Sequence, residues 1–216
     1  MLVACERLWY INGKDHVSYL EVQDENVVIK ELQMMKKVCS ISNYHNRIYM
    51  LSEEGMVCKT IARRPSSTSN VFHKQEHEFF TTVKGIGMNQ CVVASARKLP
   101  NKKEHQVTLS LLSGSMKVRN SITLDSSSAS VPSNHFILNP VHVIKCLEYE
   151  QLDVVLLLHY YSLISLLVIE RGFKFIFIKK YDLLTDMMYG FLPLNLKQSA
   201  HLVYGNNSLR RIALGM

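Results

Sequence analysis

His73-Lys74-Gln75-Glu76-His77 is the stretch of this chain whose spacing comes nearest to a metal site, because it fits H-x-x-E-H. On a helix its two histidines, four residues apart, would share a face. They could hold a zinc ion beside a general-base glutamate. Ser69 or Asn70 could cap such a helix. A third ligand would have to come from a following helix, and the sequence downstream reads as strands. The stretch is therefore expected to be a solvated, charged linker with no metal. Other catalytic patterns are missing. No Gly-x-Ser-x-Gly elbow occurs, Gly85-Ile86-Gly87 lacks the rest of a phosphate-cradling loop, and no Gly-Lys-Ser/Thr is present. Glu148, Glu150 and Asp153 cluster as a turn ahead of an apolar run rather than as an acid/base pair. No catalytic residue, cofactor or small-molecule substrate is expected, and the chain is not read as an enzyme.

Binding is the other chemistry to weigh. The net charge is +7, with a pI near 9.1, which favours acidic partners such as nucleic acid, anionic lipid or an acidic protein face. The basic residues are spread out as pairs: Lys36-Lys37, Arg63-Arg64, Lys102-Lys103, Lys179-Lys180 and Arg210-Arg211. A nucleic-acid footprint needs them clustered. Arg63-Arg64-Pro65-Ser66 resembles a substrate site of basic-directed kinases, and a phosphate on Ser66 would add about −2 charge beside two arginines. Phe173, Phe175 and Phe177 alternate with Lys174 and precede Lys179 and Lys180. Such interleaving can build a single-strand nucleic-acid platform. Their period of two is better explained by a strand with one apolar face.

The elements that must position these groups are strands. Five cysteines (Cys5, Cys39, Cys58, Cys91, Cys146) show no C-x-x-C spacing and mostly apolar surroundings. They read as unpaired buried thiols of a reducing compartment, cytoplasmic or nuclear. Met1–Tyr10 carries Glu6 and Arg7 and is no signal peptide, so Asn206-Asn207-Ser208 reads as a turn rather than a glycosylation site. Val154–Ile169 is sixteen residues without formal charge. That is short of the roughly 20 a spanning helix needs. A pair of buried strands joined at Tyr160–Ser162 is expected, with a membrane-associated segment as the alternative. Val17–Val22, Val27–Ile29 and Val38–Ser42 are further strand signals. Arg47–Ser52 and Met56–Ala62 flank the glycine-bearing Glu53-Glu54-Gly55, a hairpin signature. Similar hairpins follow at Asn89–Leu112, Leu152–Ile169 and Ala200–Leu214. They begin near residues 46, 90, 153 and 201.

Spacings of about 44 and 48 residues fit propeller blades, which recur at roughly 40 to 50, and the spacing of about 63 holds the loop Leu124–Pro140, read as an insertion. Arg47–Val57 and Val155–Gly172 resemble inner hairpins of WD40-like β-propeller blades, and the resemblance covers 17–62 and 85–216. The Trp-Asp and Gly-His pairs of regular WD repeats are absent, and Trp9 is the single tryptophan. The resemblance implies an all-β fold, a partial β-propeller of about four blade-like four-stranded units. A β-sandwich or irregular barrel is the alternative. The units fall at about 17–62, 80–124, 141–182 and 187–216 of one domain, 1–216, with loops at 63–78 and 125–140. Four units, the last stopping before its outer strand, imply a fragment or isoform of a longer chain, or a ring completed by a partner.

The expected function is a non-catalytic scaffold or complex subunit that binds other protein subunits through loops and an open edge. Arg63, Arg64, Lys74, Lys102, Lys103, Arg210 and Arg211 are the candidate contact residues, and Ser66 the candidate phosphorylation site. The alternatives are a basic nucleic-acid-binding subunit and a membrane-associated protein through 154–169.

Overall fold

A computed structural model describes residues 1–33, 35–62, 67–72, 76, 78–98, 105–125, 141–149, 152–159, 163–170, 174–182, 188–193, 200–205 and 209–213, for most of those beyond 141 as backbone path. Every regular element among them is a strand, and the strands group into five sheets. The first holds β1 (Leu2–Ala4), β2 (Arg7–Ile11), β3 (Val17–Gln23) and β4 (Asn26–Leu32). The second holds β5 (Val38–Tyr44), β6 (Arg47–Ser52), β7 (Met56–Ile61) and β8 (Ser67–Val71). The third holds β9 (Glu78–Gly87), β10 (Gln90–Lys98), β11 (His105–Leu112) and β12 (Val118–Asp125). The fourth holds β13 (Val141–Tyr149), β14 (Leu152–His159), β15 (Leu163–Glu170) and β16 (Lys174–Asp182). The fifth has three strands, β17 (Met188–Pro193), β18 (Ala200–Gly205) and β19 (Leu209–Ala213).

Within each sheet the strands follow chain order and pair antiparallel, so each sheet is a meander of hairpins. Turn chemistry explains several of them. Asp24 and Glu25 both have positive φ, 47° and 68°, between the paired Gln23 and Asn26. That backbone twist suits a two-residue hairpin. Gly55 (φ 86°) closes β6 onto β7, and a Cβ there would run into the Phe80 ring.

The first strands touch one another in series, β1 on β5, β5 on β9, β9 on β13 and β13 on β17, so they line the axis around which the sheets are arrayed. Side chains from facing sheets fill the gaps. Trp9, Val17 and Tyr19 meet Ile48, Met50 and Cys58 between the first and second sheets. Tyr49, Leu51 and Val57 meet Phe80, Cys91 and Val93 between the second and third. Val92, Ala94, Leu109 and Leu111 meet Val155, Leu167, Ile169 and Phe175 between the third and fourth. Burying apolar residues on both faces of the inner sheets is what stacked blades require.

Hydrogen bonds also cross between sheets. Asn43 Nδ2 donates to the Val3 carbonyl (3.2 Å), the Gly85 amide donates to Ser42 Oγ (3.0 Å), and the Phe175 amide donates to Asn120 Oδ1 (3.0 Å).

The division into units differs from the sequence expectation. Residues 17–62 do not form one unit, because β3 and β4 belong with β1 and β2 while β5–β7 belong with β8. The strands β1 and β2 carry no turn signature between them: Cys5 and Glu6 adopt positive φ without glycine, asparagine or aspartate. The stretch 63–78, expected to be a loop, contains β8, whose sequence STSNV is polar because it is the outer edge of its sheet. Among the described residues there are thus five sheets, four of four strands and one of three, where about four units were expected. Within Val154–Ile169, residues 154–159 and 163–169 lie in the paired strands β14 and β15, with Leu156 opposite Leu166, and the expected turn at Tyr160–Ser162 lies outside the described residues. No helix among the described residues is long and apolar enough to cross a membrane.

Candidate interaction surface

The two faces of the first sheet follow from strand register. Trp9 lies opposite Tyr19 and Tyr19 opposite Lys30, and this face packs on the second sheet. Trp9 is fully buried. Its indole N–H donates to the Ala4 carbonyl (3.3 Å) and its ring lies 4.6 Å from that of Tyr19. Arg7 stands over Tyr19, 4.9 Å from the ring centre, and bonds both Glu21 and the Ala62 carbonyl, which ties the first sheet to the second. Lys30 Nζ reaches Glu21 at 2.7 Å. These two cations, Lys30 foremost, hold the Glu21 carboxyl below its usual range.

Val3, Leu8, Leu20 and Ile29 stand opposite one another across all four strands and point the other way, with Val22 opposite Val27 beside them. None of them belongs to the core clusters found among the described residues. Val3 is 66% exposed, Val22 70%, Val27 64% and Ile29 65%. The corresponding face of the second sheet carries Ile48, Met50 and Cys58, at 0%, 1% and 2%. Among the described residues, four of the large hydrophobic side chains that are more than 60% exposed thus gather on one sheet face, the others being Met1 and Val71. Its one carboxylate, Glu31, is engaged by His16 (2.7 Å) and Asn12 (3.1 Å), whose bonds lower its pKa.

Of the basic residues singled out from the sequence as candidate contacts, only Arg210 and Arg211 fall within the described residues. Arg63, Arg64, Ser66, Lys74, Lys102 and Lys103 lie outside the described residues, as do His73 and His77. Arg210 and Arg211 sit on β19, the edge strand of the fifth sheet, where Arg211 is exposed. Val203 pairs with Arg210 and Leu202 with Arg211. The described part of the chain holds no group of three or more His, Cys, Asp or Glu side chains placed to bind a metal.

Other residues considered for chemistry have structural surroundings. Gly85 lies on β9 against Tyr49, where a Cβ would come within 2.7 Å of the ring, so this glycine serves close sheet packing. Phe175 is buried between the third and fourth sheets while Lys174 is exposed, which suits a strand with one apolar face. Burial pushes the thiols of Cys39 and Cys58 up to about 12 and about 11, far from reactive thiolates. Sequence reasoning missed the outward face of the first sheet. Its signal was apolar residues at successive positions, Leu2-Val3, Leu8-Trp9-Tyr10 and Val27-Val28-Ile29, which in a strand populate both faces.

No family model matches the sequence, and no curated protein does. Solved structures do match. The WD40 β-propeller domain of Doa1 superposes with a TM-score of 0.62 at 9% identity, over 99% of this chain and 64% of that one. The WD40 domain of Toxoplasma gondii coronin gives 0.62 at 10% identity, over 96% of this chain and 52% of that one. The Nup133 β-propeller domain of Vanderwaltozyma polyspora gives 0.55 at 9%, over 87% and 62%. The chain therefore spans between about half and two-thirds of the length of these structures. At such identities the likeness concerns the fold, and that fold is a WD40-like β-propeller, present here as a partial array of blades.

Proposed function

We propose that this chain is a non-catalytic protein-interaction subunit, a scaffold built on a WD40-like propeller. The observation that carries this reading is the outward face of the first sheet, where Val3, Val22, Val27 and Ile29 stand exposed together. A contiguous apolar patch on an otherwise well-buried frame marks a place where another surface packs. Its apolar character favours a protein over nucleic acid, which would be met by lysine and arginine. The exposed Arg211 on the edge strand β19, together with Arg210 and the pairs at 63–64 and 102–103, supplies secondary contacts in this reading. Phosphorylation at Ser66 would modulate the basic stretch around it. We place the protein in the cytosol or nucleus, where unpaired thiols such as those of Cys39 and Cys58 persist.

The test is the size of the native complex. The tagged 24.8-kDa chain, isolated from the cells that express it, should elute well above its own mass. It should remain so after nuclease treatment and in roughly 1 M salt, where charges are screened beyond about 3 Å. Elution as a monomer would overturn the reading. Collapse of the complex under nuclease and salt would instead favour nucleic acid, whose affinity falls steeply with ionic strength.

A further inference from the structure

We propose that the crevice between the second and third sheets, at the end that carries Arg47 and Lys59, binds the side-chain carboxylate of an acidic peptide segment from a protein partner. This rests on the interaction reading above and names a second contact, separate from the apolar face. Strand register brings the two cations together. Tyr49 stands opposite Lys59 and Arg47 opposite Ile61, so Arg47 and Lys59 are diagonal neighbours on one face of β6 and β7. Diagonal partners lie roughly 7–8 Å apart, within reach of long side chains. That face turns to the third sheet, because Tyr49, Leu51 and Val57 pack there. Tyr49 Oη donates to the Gly87 carbonyl (2.7 Å). Lys59 Nζ donates to Asn89 Oδ1 and to the Gly114 carbonyl, both at 3.0 Å. The ammonium thus bridges the β9–β10 and β11–β12 turns and keeps a third proton for a further acceptor.

The two like charges lack an answering one. Burial first, then the charge of Arg47, lowers the Lys59 pKa, and no carboxylate among the described residues acts on it. Arg47 Nε is buried without a hydrogen-bond partner, an arrangement that costs free energy until an acceptor arrives. The turns around the pair, residues 44–47, 87–90 and 112–118, contain no aspartate or glutamate and add His45 and Lys117. Elsewhere cations do have carboxylates, as Arg7 has Glu21 and Lys37 has Glu54. The donors on offer suit a carboxylate. A guanidinium meets that planar group with two parallel N–H bonds, and the remaining Lys59 proton joins them. A phosphate is commonly cradled by successive backbone amides. Here the Ser113 amide donates to the Lys117 carbonyl and the Met116 amide to the Ser113 carbonyl, so both are spent inside the turn. Tyr44, opposite Arg47 and packed on the same cluster, gives the crevice an apolar wall for the methylene groups of an aspartate or glutamate.

Lysine labelling tests the site directly. The purified full chain is reductively methylated with and without a hexaglutamate peptide, and the rate at each lysine is read by mass spectrometry. Hexaglutamate should slow labelling of Lys59 by about fivefold or more. The exposed Lys14 and Lys36 should change by less than about twofold. Hexaglutamine should protect nothing, and inorganic phosphate at the same concentration of negative charge should protect Lys59 less than hexaglutamate does. Arg47→Gln should abolish the protection. Should that variant not fold, judged by Trp9 fluorescence, Arg47→Lys takes its place. It keeps the charge and loses the planar fork, and should weaken the protection by about threefold or more. Equal protection by phosphate, equal protection of all three lysines, or protection undiminished in the folded Arg47 variant overturns the proposal. No protection of Lys59, with the native complex still eluting well above the mass of the chain, sinks the crevice and leaves the interaction role standing. No protection together with a monomeric native chain removes both.

Discussion

Glu21 shows how one side chain ties a sheet together, and its titration can be predicted. The hydrogen bond from Lys30, then that from Arg7, favours the charged carboxylate and lowers its pKa below the ordinary 4.5. A carboxyl depressed on folding contributes stability that is present above its unfolded-state pKa. That contribution is lost as the pH falls through the folded value. Glu21→Gln should therefore lower Tm relative to wild type at pH 6–7, and the gap should narrow as the pH drops below about 4.5. Melting curves from about pH 3 to 7 check this, and a gap independent of pH would refute the ion-pair account. At Gly85 the neighbour is the Tyr49 ring, itself fully buried, so room for a methyl group must come from moving packed side chains. Gly85→Ala should cost about 1–3 kcal/mol, measured by denaturant midpoint. Thiol accessibility follows the same logic. Cys39 and Cys58, pushed to about 12 and about 11, should resist iodoacetamide at neutral pH until the chain unfolds.

At the scale of elements, Trp9 reports directly on one interface. It is the single tryptophan and is buried between the first and second sheets. Its emission should be blue-shifted in the native state and shift red on unfolding. Ile48→Ala, which empties a fully buried position in the same cluster, should destabilise by about 2–5 kcal/mol and move that fluorescence transition to lower denaturant. An unchanged midpoint would mean that the two sheets do not pack as described. Elements were legible in the sequence wherever period and turn chemistry agreed. The run RIYMLS, the turn at Gly55 and MVCKTI give β6 and β7 almost residue for residue. The strands β1 and β2 were not legible. They are short, and their turn at Cys5–Glu6 takes positive φ with residues that do not advertise it. The edge strand β8 was missed because an outer strand needs no apolar face, so its polar sequence reads as a loop.

For the molecule as a whole, the outward face of the first sheet and the scattered basic pairs predict opposite responses to salt. An apolar sheet-on-sheet contact should be insensitive to ionic strength or slightly strengthened, whereas contacts through Arg210 and Arg211 should weaken. Replacing both arginines with glutamate should therefore change the salt dependence of assembly while leaving its high-salt limit in place. Sizing the complex across a salt series would check this. Assembly abolished at every salt concentration would move the main contact to β19.

By itself, the sequence determined the strand-rich class and the hairpin rhythm. Side-chain period and turn residues are local properties, and a chain of alternating apolar residues can bury them only in sheets. The assembly of those hairpins was decided in three dimensions. Whether β3 and β4 join β1 and β2 or the strands after them depends on register and on which faces meet, and neither is written in any single segment. The same is true of the candidate site. Val3, Leu8, Leu20, Val22, Val27 and Ile29 are as apolar in sequence as Ile48 and Met50, and only the stacking of sheets leaves the first group uncovered and the second buried.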